Sequence, residues 1–180
     1  MTLVNIQLPV FSERITIRQF EPTDITPAYL EWLNDPDLMA FSNQRFATHS
    51  KKSSSRYLKK FRGTANKFLA LDETASGDMI GTLTIYVSVA HRTADLGILL
   101  GNKTYQGRGY AAEAWRFMVE NLLEVQGFRK VTAGTLRGNL AMVKILSGSG
   151  MDLEGVRVHQ ELVEGVPMDV LQFARFKSKQ

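Results

Sequence analysis

Residues 105–112, Tyr-Gln-Gly-Arg-Gly-Tyr-Ala-Ala, set two glycines around an arginine directly before a stretch with helical periodicity. Such a loop can hold a phosphate. A helix N-terminus leaves amide donors free and carries a partial positive charge, and glycine lets those amides approach phosphate oxygens closely. The nucleotide-triphosphate loop G-x-x-x-x-G-K-[ST] would start at Gly101. It fails, because Gln106 stands at the second glycine and the lysine and magnesium-binding hydroxyl are missing. The dinucleotide fingerprint G-x-G-x-x-[GA] is met by Gly107, Gly109 and Ala112. The next strand, 129–136, offers no acid for a ribose, however, and the motif lies too late in the chain for two mononucleotide-binding halves.

A third pattern, [QR]-x-x-G-x-[GA], describes the pyrophosphate loop of acetyl-CoA-dependent transferases. Gln106-Gly107-Arg108-Gly109-Tyr110-Ala111 fits it, and Arg108 can add a cation. Acid–base candidates are sparse. His91 and His159 have ordinary pKa values near neutrality, although a lone histidine is more often surface or packing. The chain has no cysteine, which excludes disulfides, a thiol nucleophile and cysteine-zinc sites. No metal site is expected.

These residues need elements to position them. Residues 14–20 alternate as a first strand, and Pro27 to Asn34 reads as a short helix that Pro36 stops. A second short helix follows at 36–42. Residues 50–63 hold six basic residues and no acid, with Tyr57, Leu58 and Phe61 on one helical face and Gly63 at its end. That segment is either a surface helix or a basic lid over an acidic substrate. Residues 67–73 and 79–89 form a hairpin. Residues 92–100 are a fourth strand, in which Gly97 marks a bulge or a close backbone approach.

Residues 110–126 form an amphipathic helix with Ala111, Trp115, Met118, Leu122 and Val125 on its apolar side, ended by Gly127. A strand at 129–136 follows, then a short helix at 139–150 capped by Asn139. A closing hairpin turns at Glu164-Gly165. The order predicts a mixed α/β (α+β) fold, with a mostly antiparallel central sheet of about seven strands flanked by helices.

The 180 residues suit one domain, 1–180, with a full core. Net charge is +4, which fits an anionic ligand and falls well short of a dedicated nucleic-acid binder. No apolar run reaches the roughly 18 residues of a membrane helix. The first residues lack the basic start and cleavage site of a signal peptide. A cytoplasmic protein with no nucleic-acid or membrane partner is expected.

The glycine loop, the preceding Ala94-Asp95-Leu96-Gly97-Ile98-Leu99-Leu100 and the following Gly138-Asn139 to Gly150-Met151 stretch together resemble the GNAT N-acetyltransferases, in their RimJ/RimL-like branch. The resemblance spans about residues 12–177. It implies acetyl-CoA as co-substrate and a fourth strand splayed from the fifth, with the coenzyme arm in the gap. The backbone of Ile98, Leu99 and Leu100 would then pair with pantetheine amides, and an amide there would support the thioester oxyanion. Asn139 matches the asparagine that contacts the pantetheine arm, with a helix N-cap as its other role. Lys144 could reach the coenzyme phosphates.

Asp95 stands where many relatives carry a glutamate and is the first candidate base. Asp169 matches an aspartate near the last strand that orients the substrate or Arg157. Three departures stand out. Met142 replaces a frequent serine and Met151 the usual phenylalanine, and residues 139–151 hold no tyrosine to protonate the leaving thiolate. The segment Tyr29 to Met39 resembles members that acetylate amino sugars on nucleotide carriers. Trp32 is a candidate substrate contact there, or packs the helical pair, and His159 is a further candidate. The expected acceptor is a nucleotide-linked amino sugar. The alternatives are a protein N-terminus, another small amine, or a sensor that binds acyl-CoA without turnover. A homodimer is compatible with the resemblance.

Overall fold

The computed structural model describes residues 6–178. Eight strands form one sheet: β1 (Val10–Phe11), β2 (Ile15–Gln19), β3 (Lys67–Glu73), β4 (Met79–Ser88), β5 (Thr93–Leu100), β6 (Lys130–Leu136), β7 (Asp152–Val163) and β8 (Val166–Phe176). Their spatial order is β1-β2-β3-β4-β5-β6-β8-β7. Every pairing is antiparallel except β5 with β6. The expected mixed, mostly antiparallel sheet is therefore present. It has one strand more than the alternation implied, because Val10–Phe11 is too short to show a period.

Strand alternation sorts the core into two layers. Leu69 and Leu71 of β3 point into the larger cluster, where Trp115, Met118 and Leu122 are fully buried. Phe68 and Ala70 of the same strand point the other way, into a smaller cluster with Phe20, Tyr29, Leu58 and Phe61. The larger layer is covered by α4 (Tyr110–Glu120) and α5 (Leu140–Gly148), the smaller by α1 (Pro27–Asn34), α2 (Pro36–Met39) and α3 (Lys51–Lys59).

Caps start these helices at the residues their chemistry favours. Thr26, Asp35, Ser50 and Asn139 each accept a backbone N–H from the first turn of α1, α2, α3 and α5. α3 ends near Lys59, earlier than Gly63 implied, and Gly63 lies in the turns that follow. α4 passes into a π-turn at Asn121–Val125 before Gly127. That wider turn rotates Val125 off the apolar stripe, leaving it exposed. Neither the bulge nor the close backbone approach expected at Gly97 is found among the described residues: a Cβ there would meet nothing within 4 Å. Gly97 pairs in register with Thr84, and the irregularities lie in β3 and β7 instead. At Glu164-Gly165 both residues have positive φ, as a two-residue hairpin turn requires.

Candidate active site

β5 and β6 pair at only three positions: Thr93 with Lys130, Ala94 with Val131 and Asp95 with Thr132. Beyond Asp95 the strands part. Leu96 to Leu100 stay paired to β4, while β6 stays paired to β8 as far as Leu136. The open edge of β5 therefore carries backbone donors and acceptors with no strand partner, left to water or a ligand. A cleft of about 1070 Å³ runs through this fork. Ile98, Leu99 and Leu100 line one side, Gly134 and Thr135 the other.

Two glycines hold β5 in this position. A Cβ on Gly81 would overlap the Leu99 carbonyl, so glycine lets β4 approach β5. A Cβ on Gly101 would overlap the Trp32 indole. Trp32 thus packs over the end of β5 and edge-on to Tyr29, and does not line the cleft. Asp35 caps α2 and also pairs with Lys103 at 2.6 Å, tying the acceptor-side helices to the segment before the glycine loop.

The loop closes one end of the cleft, with Gln106, Gly107, Gly109, Tyr110 and Ala111 in its wall. Gly107 and Gly109 have φ of 70° and 85°, a region strained for other residues. Gly109 is the N-cap of α4 and no side chain caps it, so the first-turn amides remain available to an anion. Gln106 Nε2 donates to the Leu100 carbonyl at 2.9 Å. Arg108 is turned away, beside the Tyr105 ring and the Thr104 carbonyl, and lies outside the cleft wall.

The cation behind the loop is instead Arg14. Its guanidinium sits over the Tyr110 ring, bonds Glu113 at 2.6 Å and donates to the Arg108 carbonyl at 3.3 Å. Glu113 lies in the first turn of α4, where a bare carboxylate would repel a phosphate. Desolvation pushes its carboxyl up, but the Arg14 amide, the Ser12 hydroxyl and the Arg14 guanidinium outweigh this, and the net direction is down. Nothing in the sequence signalled this pair, since its members lie 99 residues apart.

Asn139 and Lys144 both line the cleft, on the α5 side. The Asn139 side chain is also the α5 cap, accepting the Met142 N–H at 3.1 Å. Across the sheet, the cleft continues between α1, α2 and α3, past Asp37, His49, Ser53, Tyr57, Thr82 and Thr84. The Tyr57 and Tyr86 hydroxyls are 3.1 Å apart, and burial pushes the Tyr57 phenol up. Residues after α2 bridge to the closing hairpin. Asn43 bonds Glu161 at 3.2 Å and Arg45 donates to the Leu162 carbonyl at 3.0 Å.

Asp95 belongs to the last pair before the fork opens. The Thr132 hydroxyl donates to its carboxylate at 2.6 Å. One side of Asp95 faces solvent, yet the protein crowded around the rest pushes its carboxyl above the usual range, against the lowering effect of Thr132. Asp169 and His159 stand elsewhere. Asp169 accepts the His159 backbone N–H at 2.9 Å and Arg137 Nε at 3.0 Å, which lowers its pKa. It thereby holds the β7 irregularity, in which His159 takes a φ of 48°. Its cationic partner is Arg137 and not Arg157. Asp95, Asp169 and His159 all lie outside the cleft lining, and exposed His91 contributes a carbonyl to Arg129. Among the described residues no metal-ligating cluster occurs, and no helix is long and apolar enough to cross a membrane.

A family model for the acetyltransferase (GNAT) domain matches residues 14–152. The uncharacterized N-acetyltransferase YnaD of Bacillus subtilis (strain 168) is 26% identical over 149 residues, covering 81% of this chain and 84% of its own. A GNAT-family acetyltransferase structure from Bacillus anthracis superposes with a TM-score of 0.81 at 19% identity, covering 94% of this chain and 99% of that one. Spermidine N-acetyltransferase from Vibrio cholerae, in complex with CoA and spermine, superposes with a TM-score of 0.80 at 19% identity, covering 92% and 97%.

The raised Asp95 carboxyl makes a signed stability prediction. A carboxyl whose folded pKa exceeds its unfolded value disfavours folding once ionised, so stability is lost as pH rises from about 3.9 through the folded pKa. Asp95→Asn should therefore be at least as stable as wild type at pH 7, with any advantage vanishing below about pH 3.9. Urea unfolding at pH 7 and at acid pH checks this; a variant less stable only at pH 7 contradicts it.

Proposed function

The chain belongs to the GNAT acetyltransferase family and is an N-acetyltransferase that uses acetyl-CoA, and we propose that its acceptor is a hydroxyl-rich primary amine of the amino-sugar kind. The observation that carries this reading is the composition of the acceptor wall. Ser42, Thr48, Ser53, Tyr57, Thr82 and Thr84 bring hydroxyls to it, whereas Asp37 is the sole carboxylate bounding the cleft among the described residues. A polyamine presents several cations and calls for several carboxylates. A polyhydroxylated ring with one amine calls for hydroxyl partners and one anion.

Acetyl-CoA, when bound, supplies an activated thioester. The residues that fit it are the β5 edge at Ile98 to Leu100, which has no strand partner, the amides of Gly107 to Ala111 and the polar side chains of Asn139 and Lys144. In this reading an amide of the β5 edge stabilises the oxyanion that develops on the acetyl carbonyl. The loop amides and the α4 dipole take the pyrophosphate. Arg14 keeps Glu113 neutralised and the loop in place.

The amine must lose a proton to attack. Asp95 is the proposed base, directly or through a water. It sits at the crotch of the fork, just outside the cleft lining that begins at Leu96, so a relaying water suits this geometry, and its raised pKa brings it nearer to working pH. Thr132 holds the carboxylate in one orientation. The thiolate is protonated by water in this scheme, as no tyrosine occurs in residues 139–151.

Gly109→Trp should abolish acetyl-CoA binding in calorimetry, because an indole would fill the phosphate approach; unchanged affinity removes the loop from the scheme. Asp95→Asn should lower turnover at least about tenfold with coenzyme affinity retained. Thiol release over a panel of amino sugars, peptide N-termini and polyamines tests the acceptor, and a polyamine as the best substrate would reject the hydroxyl-wall reading.

A further inference from the structure

Among the described residues, the basic side chains of α3 and the turn after it have no acidic partner. Lys51, Lys52, Arg56, Lys59, Lys60 and Arg62 are all exposed. At 3.6 residues per turn, Lys52, Arg56, Lys59 and Lys60 fall in one stripe. Ser54 and Leu58 are buried on the opposite side. Ser53 and Tyr57 lie between the two and line the acceptor half of the cleft. The stripe is therefore the outer rim of the acceptor wall.

This arrangement is unfavourable for the helix alone. Lys52–Arg56 and Arg56–Lys60 place like charges four residues apart, and Lys51 and Lys52 oppose the positive end of the helix dipole. An anion laid along the rim relieves both effects. The wall behind it also has unused polar capacity: Ser54 is 5% exposed and its hydroxyl has no hydrogen-bond partner. Exposed large apolar side chains occur elsewhere on the surface, as at Phe46 and Leu162, but none lies on α3. A protein partner would want such anchors at the centre of its footprint. A compact anion with strong acceptor oxygens needs only the cations.

We propose that the outer face of α3 binds phosphate groups carried by the acceptor amine, which enters the cleft past Ser53 and Tyr57 while its phosphates remain on Lys52, Arg56 and Lys60. The proposal rests on the amino-sugar reading and extends it to the charged portion of the acceptor. The stripe from Lys52 to Lys60 is about 12 Å long at 1.5 Å per residue, enough for a diphosphate.

The test compares glucosamine with its phosphate esters in steady-state thiol release, using the full chain at low and moderate salt. Wild type should show a KM at least about tenfold lower for the phosphorylated amine, a preference that salt erodes. The triple variant Lys52→Glu, Arg56→Glu, Lys60→Glu should lose that preference, with kcat/KM for glucosamine and KM for acetyl-CoA each within about twofold of wild type. The corresponding triple glutamine variant, folded by circular dichroism, should lose it partially.

Four outcomes overturn the proposal: no preference in wild type, a preference that survives charge reversal, a shift in acetyl-CoA KM alone, or a defect only with acidic peptide acceptors. The third would assign the cations to coenzyme phosphates and the fourth to a protein acceptor. Turnover of glucosamine without a phosphate preference sinks this proposal and leaves the amino-sugar reading intact. Turnover of peptides or polyamines alone sinks both. Calorimetric titration with inorganic pyrophosphate on protein saturated with CoA, so that the glycine loop is already filled, supplies an arm independent of turnover: wild type should bind it and the charge-reversed variant should not.

Discussion

The structure depends on the point where pairing between β5 and β6 stops. Hydrogen bonds link those strands through Asp95 and Thr132 and then cease, although each strand continues for several residues. Unpaired backbone groups inside a folded protein must find partners. The open edge from Leu96 to Leu100 is thus a cost unless water or a ligand satisfies it. Every nearby feature keeps the fork open. β4 and β8 hold the outer sides of the two strands, Gly81 admits the Leu99 carbonyl, Trp32 rests on Gly101, and Gln106 ties the end of β5 to the glycine loop. An extended amide-bearing arm of a coenzyme can occupy such a gap as a strand would.

Electrostatics at the far end of the fork follow from α4. Its uncapped N-terminus favours an anion, and Glu113 in its first turn opposes one. Arg14, from the opposite side of the sheet order, settles that conflict by bonding Glu113 and stacking on Tyr110. Arg108, which the motif offers as a cation for the phosphate, is turned out toward Tyr105. In the proposed reading the donor is met mainly by backbone, and the charge control comes from Arg14 beneath the loop.

What could be read from the sequence was local. Glycines at 107 and 109 before an apolar-periodic run mark a turn into a helix N-terminus, and both have positive φ; the flanking stretches and the GNAT resemblance are needed to read that turn as a phosphate loop. Asn139 declares a helix start by its own side chain. The strand bearing Leu83 and Ile85 shows its period directly. The GNAT resemblance supplied the fork itself, which no periodicity encodes. Long-range pairings stayed hidden: Arg14 with Glu113, Trp32 with Gly101, and Asp169 with the irregular turn at His159. The last of these explains why Asp169 and His159 suggested substrate contacts and serve the hairpin instead. Val125 misled because a π-turn shifts the helical phase, which residue type does not reveal.

The central claim is that the parted edge of β5 and the amides of the glycine loop receive acetyl-CoA. Amide hydrogen exchange resolved to individual residues tests it most directly, measured on the full chain with and without saturating CoA. The account predicts slowed exchange confined to the amides of Leu96 to Leu100 and Gly107 to Ala112, with the β7–β8 hairpin tip unchanged. Saturating CoA that binds yet leaves both segments exchanging as in the free protein would contradict it.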